Sequence, residues 1–137
     1  MTDWFARPIV SVTDVEASLR FYVDRLGFTI PWRFDEAGKA YVAQVDRQSC
    51  AIILSNHWPE KIGKGMLFIS LNVEPPTHEA AIAALDELRA ELESNGVAVK
   101  DGWWGYRLLV VDDPDGNRLL FNYPNEPAPT QAARAEA

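Results

Sequence analysis

The stretch WWGYRLLVVDDPDGNRLLFNYP, residues 103–124, decides how the fold of this chain is interpreted. An apolar run follows Trp-Trp-Gly, then an Asp-Pro-Asp-Gly-Asn turn, then a second apolar run. Pro114 fixes φ at the start of a turn, and Gly116 accepts a positive φ within it. The Asp and Asn side chains of such a turn bond to nearby backbone. The pattern predicts a β-hairpin whose turn, residues 113–117, is structural and carries no catalysis.

Outward from this hairpin, the chain repeats one order of elements twice. In the first copy, the sequence predicts a strand at about 6–12 and a helix at about 15–25 that is capped by Asp14. Three strands follow, at 28–34, 39–45 and 49–55, with turns between them at 35–38 and 46–48. The second predicts the same order, with a strand at 65–73, a helix between Thr77 and Gly96, and strands at 97–100, about 105–111 and about 117–123.

The sequence therefore predicts a single domain over residues 1–124, made of two modules at about 5–56 and 65–124. The polar segment 56–65 contains two glycines and a proline and is interpreted as the linker. Residues 125–137 are rich in Ala, Pro and Glu, without an apolar stripe, and are expected to form a flexible C-terminal tail.

Composition restricts the possible functions. The chain has 137 residues, 47% hydrophobic and 24% charged, which is typical of a globular protein. Its net charge of −7 argues against nucleic-acid binding, which needs a basic surface. Cys50 is the only cysteine, so no internal disulfide forms, and a reducing cytoplasm fits. We find no signal-peptide pattern and no apolar run long enough to span a membrane.

Two motifs together carry a family resemblance: VTDVEASLRFYVDRLGF at 12–28 and DPDGN at 113–117. With this order of elements, the chain resembles the vicinal oxygen chelate (VOC) superfamily, which includes glyoxalases, bleomycin resistance proteins and dioxygenases. The resemblance covers about residues 5–124. It implies an α+β fold of two βαβββ modules whose cupped mixed sheets enclose a cleft, in a dimer. Whether the modules pair within one chain or between subunits stays open.

Enzymes of this superfamily hold a divalent metal with His, Glu or Gln on the concave face of the sheets. Strand alternation places Val10 and Val12 toward the helix and Arg7, Ile9 and Ser11 on the concave face. The first ligand position of the family then falls near Arg7, which stays charged and cannot bind a cation. Phe68 lies where the family has a His, and Leu120 replaces the Glu of a DPDGN-x-x-E pattern.

The two histidines offer no alternative ligand set. His57 lies in the linker and His78 at the start of the second helix, neither with a His or Cys at ligand spacing, so surface or capping roles are expected. The sequence thus predicts no metal, no cofactor and no catalytic residues. The resemblance is closest to the metal-free bleomycin-resistance-type members. Those acidic dimers sequester a bulky, cationic, planar-tailed antibiotic, unaltered, in aromatic grooves at the subunit interface.

Aromatic residues suit such a site because they stack on planar groups and attract cations. Trp32 and Trp104 fall where the family places groove aromatics, and Trp58 and Trp103 are also expected at loop–strand borders. On the strand at 65–73, Phe68, Ser70 and Asn72 are expected to face the cleft. The predicted ligand-binding residues are Arg7, Trp32, Phe34, Phe68, Ser70, Asn72, Trp103, Trp104, Tyr106, Arg118 and Leu120. The two arginines among them would instead favour an anionic guest.

The main hypothesis is thus a cytoplasmic, homodimeric antibiotic-resistance protein that binds a small molecule. Three alternatives stay open. One is a metal-dependent glyoxalase- or dioxygenase-type enzyme, a lyase or isomerase, with unrecognised ligands. Another is a metal-free enzyme that uses Tyr106, Arg7, Arg118 or Glu36 as acid or base. The last is a non-catalytic module that binds a protein partner through an apolar patch.

Overall fold

The computed structural model describes residues 1–124, and the predicted C-terminal tail at 125–137 lies outside the described residues. The elements in chain order are β1 (Ile9–Ser11), α1 (Val15–Arg20), β2 (Thr29–Glu36), β3 (Lys39–Arg47), β4 (Cys50–Ser55), β5 (Met66–Ile69), α2 (His78–Ser94), β6 (Val99–Trp103), β7 (Arg107–Asp112) and β8 (Arg118–Asn122). A π-helical turn, Phe21–Arg25, continues α1, and a 3₁₀ turn, Pro59–Lys61, precedes β5. The predicted βαβββ order is confirmed for both halves.

Two four-stranded sheets result, with strand orders β1-β4-β3-β2 and β5-β8-β7-β6. In the first sheet β1 runs parallel to β4 and the other pairs are antiparallel, so the sheet is mixed. The chain groups into two compact units by its contacts. Among the described residues, the first unit is Met1–Leu67 with Asp113–Arg118, and the second is Phe68–Asp112 with residues 119–124. The 113–117 turn thus belongs to the first unit, although it joins two strands of the second sheet.

Both helices begin at the predicted caps. The Asp14 carboxylate accepts hydrogen bonds from the backbone N–H groups of Glu16 and Ala17, at 3.0 and 3.3 Å. The Thr77 hydroxyl accepts from the N–H of Ala80 at 3.1 Å. These contacts satisfy N–H groups that have no partner within the helix. The buried residues of α2 are Leu85, Leu88 and Leu92, which form one apolar stripe at helical spacing.

The core of the first unit forms on one face of the β1-β4-β3-β2 sheet. Val10 and Val12 are 1% and 0% exposed, which confirms that they point toward α1. The residues beside them on β3 and β4 with the same orientation are also fully buried: Ala43, Val45, Ile52 and Leu54. The opposite face of this sheet, which carries Ile9, Ser11, Val42, Gln44 and Ile53, is called the helix-free face below.

Several predicted boundaries were wrong because the turns are shorter than the polar runs that mark them. The β2–β3 turn contains only Ala37 and Gly38, with φ of 51° and 80°, so Asp35 and Glu36 lie in β2. Two residues with positive φ close a hairpin without splaying its strands. The next turn contains only Gln48 and Ser49, so β3 extends to Arg47. Trp32 consequently lies in the middle of β2 and not at a loop–strand border.

Two further corrections concern the second half. β5 ends at Ile69, so Ser70 and Asn72 follow the strand and do not alternate on it. β6 spans Val99–Trp103 and not 97–100, because the ladder with β7 pairs Val99 with Val111 and Trp103 with Arg107. Trp103 therefore ends a strand. In the described part of the chain, no helix has the length and apolar character needed to cross a membrane.

Candidate functional site: an exposed aromatic stripe

Strand β2, at the edge of the first sheet, exposes all eight of its residues. Trp32 and Phe34 pair with Gln44 and Val42 of β3 and share the helix-free face, where they are 39% and 56% exposed. Ile30, which is 37% exposed, lies on the same strand at a register shift in the β2–β3 ladder. We call these three residues the β2 stripe. Large apolar side chains that are left together at a surface mark binding sites more often than isolated ones do. The predicted residues Trp32 and Phe34 therefore lie side by side on one surface.

Neighbouring rows of the helix-free face extend from the β2 stripe across the sheet. Cross-strand pairing places Trp32 beside Gln44, then Ile53 and Ile9. The adjacent row runs from Phe34 through Val42 and Ser55 to Ser11. The face thus combines a mostly apolar surface with a few polar groups, which is the usual composition of a small-molecule site.

Gln44 fixes the orientation of Trp32. Its side-chain oxygen, Oε1, accepts a hydrogen bond from Trp32 Nε1 at 2.9 Å and another from Arg7 Nη1 at 2.8 Å. Its amide nitrogen donates to Asp46 at 2.8 Å. Gln44 is only 8% exposed, so the indole is anchored at its N–H by a group that is itself held. Such preorganisation lowers the entropy lost when a ligand stacks on the ring.

Sequence reasoning missed Gln44. A usable signal was present, because an amide in the otherwise apolar run YVAQV of β3 occupies the same face as the β2 stripe by alternation. Arg7 was predicted on this face, and its contact with Gln44 places it there.

In the second unit, Phe68 and Trp104 form a separate exposed aromatic pair. Their rings meet edge to face, with centroids 5.2 Å apart, and the residues are 47% and 50% exposed. The backbone N–H of Trp104 donates to Tyr106 O at 3.2 Å, around Gly105 with its φ of +97°. Tyr106, in the same loop, is 38% exposed. The structure thus brings Phe68 and Trp104 together, with Tyr106 close by in the chain.

The other predicted residues of the second half lie apart from this pair. Trp103 is 52% exposed and lies on the same side of β6 as Asp101, which accepts a hydrogen bond from Arg89 of α2. Trp103 therefore points to the helix side of the sheet. Ser70 and Asn72 are exposed beyond β5, and Arg118 is exposed at the start of β8. Leu120 is 5% exposed and packs with two other apolar residues, Leu108 and Val110.

The positions at which enzymes of the resembled superfamily hold a metal carry unsuitable side chains. Arg7 donates to Gln44, Phe68 packs on Trp104, and Leu120 lies in an apolar cluster. His57 is bonded to the Tyr41 hydroxyl, and His78 is the exposed first residue of α2. Within residues 1–124, no three His, Cys, Asp or Glu side chains gather closely enough to hold a metal ion. These residues do not fit a divalent metal, which needs several oxygen or nitrogen ligands.

The 113–117 turn connects to β1 and α1 through buried polar groups. Asn117 is fully buried, donates to Ser11 O and to the Asp113 carboxylate, both at 3.0 Å, and accepts from Gly65 N at 2.7 Å. The Tyr22 hydroxyl donates to Asp113 at 3.1 Å. Burial raises the pKa of Asp113, although its hydrogen bonds partly offset this, and burial also raises the pKa of Tyr22. Every one of these groups is engaged in holding the fold.

The linker before β5 packs on the same turn and depends on glycine. A Cβ at Gly63 would lie 2.3 Å from Asp115 O, and one at Gly65 would lie 2.8 Å from the Asn117 side-chain oxygen. Gly63 also has a φ of +75°. Thr13 reaches the other side of the turn, because its hydroxyl donates to the Asp115 carboxylate at 2.6 Å. The turn is therefore fixed by β1, α1 and the linker together, as a purely structural interpretation of DPDGN requires.

A family model decides the relationship. The model described as Glyoxalase/Bleomycin resistance protein/Dioxygenase superfamily matches residues 3–121. The chain belongs to this superfamily. Members similar to it include bleomycin resistance proteins of Geobacillus stearothermophilus and Staphylococcus aureus, each 25% identical over 122 residues, which cover 83% of this chain and 92% of theirs.

Solved structures of the superfamily agree with the fold. TnmS3, an antibiotic binding protein from Streptomyces sp. CB03234, superposes with a TM-score of 0.67 at 25% identity, over 91% of this chain and 99% of that one. The bleomycin-binding protein of Streptomyces verticillus, complexed with copper(II)-bleomycin, gives a TM-score of 0.64 at 23% identity, over 91% and 100% of the two chains. The second likeness concerns the fold alone.

Proposed function

We propose that this protein binds a bulky planar or cationic small molecule, of the bleomycin-like antibiotic class, and sequesters it without a metal and without chemical change. The observation that carries the proposal is the β2 stripe, in which Trp32 and Phe34 are exposed side by side on the helix-free face and Ile30 is exposed on the same strand. A ligand that covers this apolar surface removes it from water, which contributes favourably to the free energy of binding.

The chemistry of the stripe suits a planar guest. The indole N–H of Trp32 is already bonded to Gln44, so its ring is held while its residue remains 39% exposed. Aromatic faces stack on planar groups and attract cations. The net charge of −7 and the Asp46 carboxylate near the stripe favour a cationic guest, while Arg7 shares the carbonyl oxygen of neutral Gln44. The names of the relatives, bleomycin resistance and antibiotic binding proteins, support this ligand class.

We further propose that the functional form is a homodimer. Strand β2 is a sheet edge that exposes every residue, including three large apolar side chains, and a second copy would protect such an edge. The Phe68–Trp104 pair of a partner subunit is the second aromatic surface that a groove at the interface would use. The acidic composition and single cysteine favour a cytoplasmic protein that does not bind nucleic acid.

Calorimetric titration with bleomycin, metal-free and loaded with copper(II), tests the proposal. We expect saturable binding and recovery of intact bleomycin by mass spectrometry. Trp32→Ala is expected to weaken binding about tenfold, since one stacked aromatic contributes roughly 1.5 kcal/mol. Gln44→Leu, which leaves the indole present but unanchored, is expected to weaken binding about threefold.

The matched control is Trp4→Ala, because Trp4 is 94% exposed near the start of the chain and precedes β1. It should leave the affinity unchanged. Absence of binding by the folded wild-type protein, or conversion of bleomycin to a product, would contradict the proposal. Light scattering on the same samples measures the oligomeric state. A monomer that still binds bleomycin would contradict the proposed homodimer and leave the proposed ligand binding in place.

A further inference from the structure

A pocket of about 360 Å³ opens in the first unit, beside the loop that follows β4. Its lining residues are Ile9, Ser11, Trp58, Lys61, Lys64 and Gly65. It lies against β1, at the opposite edge of the four-stranded sheet from β2. At about 4.8 Å per strand, roughly 14 Å separates these two edges. The pocket volume lies within the usual range for small-molecule sites, so the pocket is a second candidate site.

Two exposed apolar side chains line this pocket. Ile9 is 51% exposed and Trp58 is 40% exposed. The Trp58 ring meets the His57 ring edge to face, with centroids 4.9 Å apart, and His57 is bonded to the Tyr41 hydroxyl. The His57 backbone N–H also donates to the Ser55 hydroxyl at 3.1 Å. Trp58 is therefore supported along one edge while part of the indole stays open to a ligand.

Two lysines supply the charge of the pocket, and their backbone is fixed. The N–H of Lys61 donates to Trp58 O at 3.0 Å, and the N–H of Lys64 donates to Lys61 O at 3.1 Å. Gly65, next in the chain, is tied to the buried Asn117. The 3₁₀ turn and the hydrogen bond between Gly65 and Asn117 thus hold the two lysines beside one cavity.

The charge of this pocket is opposite to that of the whole chain. The protein has 20 acidic and 13 basic side chains, yet among the described residues two lysines and no carboxylate line the pocket. Within residues 1–124, no carboxylate forms an ion pair with Lys61 or Lys64. Glu60, directly before Lys61, is the acidic residue nearest to the two lysines in sequence. The Asp115 carboxylate accepts hydrogen bonds from the backbone N–H and the hydroxyl of Thr13. Two ammonium groups without partners favour an anion.

We propose that this pocket binds an aromatic carboxylate, with the planar ring against Trp58 and Ile9 and the carboxylate between the ammonium groups of Lys61 and Lys64. Aromatic stacking and charge-assisted hydrogen bonds then act on two ends of one ligand. The pocket shares Ile9 and Ser11 with the helix-free face but lies at the opposite edge of the sheet from the β2 stripe. It takes a ligand of opposite charge, so it goes beyond the proposed function.

The test uses 2-naphthoate and its neutral analogue 2-naphthamide, titrated into the full-length protein by calorimetry. We expect 2-naphthoate to bind and 2-naphthamide to bind at least fivefold more weakly. Lys61→Gln and Lys64→Gln are each expected to weaken naphthoate binding about fivefold, which is the upper range for a solvent-accessible ion pair. Lys39→Gln removes the same charge at the start of β3 and should have no effect.

Further measurements distinguish the contribution of the aromatic ring from that of the charge, and binding in this pocket from binding at the β2 stripe. Trp58→Ala is expected to weaken both naphthalene ligands, and raising the NaCl concentration should weaken 2-naphthoate alone. Trp32→Ala should not change naphthoate affinity, whereas it should weaken bleomycin. Equal binding of the two probes, or an affinity unchanged in Lys61→Gln and Lys64→Gln, would overturn the proposal, and neither result bears on bleomycin. Circular dichroism confirms that each variant is folded.

Discussion

The turn at 113–117 and strand β2 lie in the same unit but differ in which side chains they expose: the turn buries polar side chains, whereas β2 exposes apolar ones. In the turn, Asp113 and Asn117 are polar and buried, at 4% and 0% exposure. In β2, Trp32 and Phe34 are apolar and exposed. Each segment departs from the general tendency to bury apolar and expose polar groups, and each departure has a different physical meaning.

A buried polar group is tolerated when its hydrogen bonds are made. The Asn117 side chain makes three, to Ser11, Asp113 and Gly65, so its burial specifies which segments meet. Trp32 and Phe34 leave neighbouring apolar surface in contact with water, which points to a role in binding. The comparison therefore separates residues that determine the structure from residues that are available to a ligand. It yields four tests.

The largest expected effect is that of Asn117→Ala on stability. The substitution removes the hydrogen-bond partner of the buried Ser11 O and of the half-buried Gly65 N, and we expect the free energy of unfolding to fall by about 3 kcal/mol. Urea denaturation measures this fall. Asn122→Ala is the matched control, because within residues 1–124 the Asn122 amide donates one long hydrogen bond, of 3.3 Å, to Tyr123 O. A loss below about 1 kcal/mol for Asn117→Ala would show that the turn does not depend on this amide.

Gly63→Ala is expected to have the next largest effect, about 2 kcal/mol or more. The new Cβ would lie 2.3 Å from Asp115 O, at a residue whose φ is +75°. Gly38→Ala separates the two causes, because Gly38 has a φ of +80° but no atom within 4 Å of its Cβ position. We expect Gly38→Ala to cost about 1 kcal/mol from backbone strain alone. Equal losses in the two variants would mean that the linker does not pack closely on the turn.

Trp32→Ala should change the free energy of unfolding by less than about 1 kcal/mol, although it removes the largest type of side chain. Trp32 is exposed on an edge strand, so little buried area is lost. Leu54→Ala, at a fully buried position of β4, is the contrasting variant and is expected to cost about 3 kcal/mol. A large loss of stability for Trp32→Ala would assign the β2 stripe to the fold and not to a ligand.

The smallest expected effect is the pH dependence due to Asp113. Burial raises the pKa of its carboxyl, which therefore binds a proton more tightly in the folded than in the unfolded chain. The free energy of unfolding should decrease as pH rises from the ordinary Asp value of 3.8 through the raised pKa, and then level off. Carbon-13 NMR of the Asp113 carboxyl measures the titration directly.

Other shifted carboxyls act in a separate pH range. Hydrogen bonds from the Ala40 N–H and then from Arg33 lower the pKa of Glu16, and a hydrogen bond from Arg89 lowers the pKa of Asp101. The stability that these two carboxylates contribute is therefore lost as the pH falls below their ordinary pKa values of 4.5 and 3.8. Tyr22→Phe removes one of the hydrogen bonds that lower the pKa of Asp113 and should move its titration to higher pH. Titration of Asp113 below pH 3.8 in the wild type would contradict this account.

Several features followed from local sequence. Asp14 and Thr77 capped their helices as predicted because an N-cap acts within a few residues. The alternation of Val10 and Val12 with Ile9 assigned the faces of β1 correctly. Strand ends were predicted less well, because register with a neighbouring strand decides where pairing stops, as at Ile69 and Trp103.

The sequence alone determined the βαβββ repeat, the structural character of DPDGN and the family, since these depend on periodicity and local turn chemistry. Only the tertiary structure showed that Asn117 joins β1, the turn and the linker, that Gln44 anchors Trp32, and that Lys61 and Lys64 share a pocket with Trp58. These contacts link residues as far as 106 positions apart in the chain. Such pairs leave no periodic signal in a single sequence, because they are selected by packing and hydrogen-bond geometry after the chain has folded.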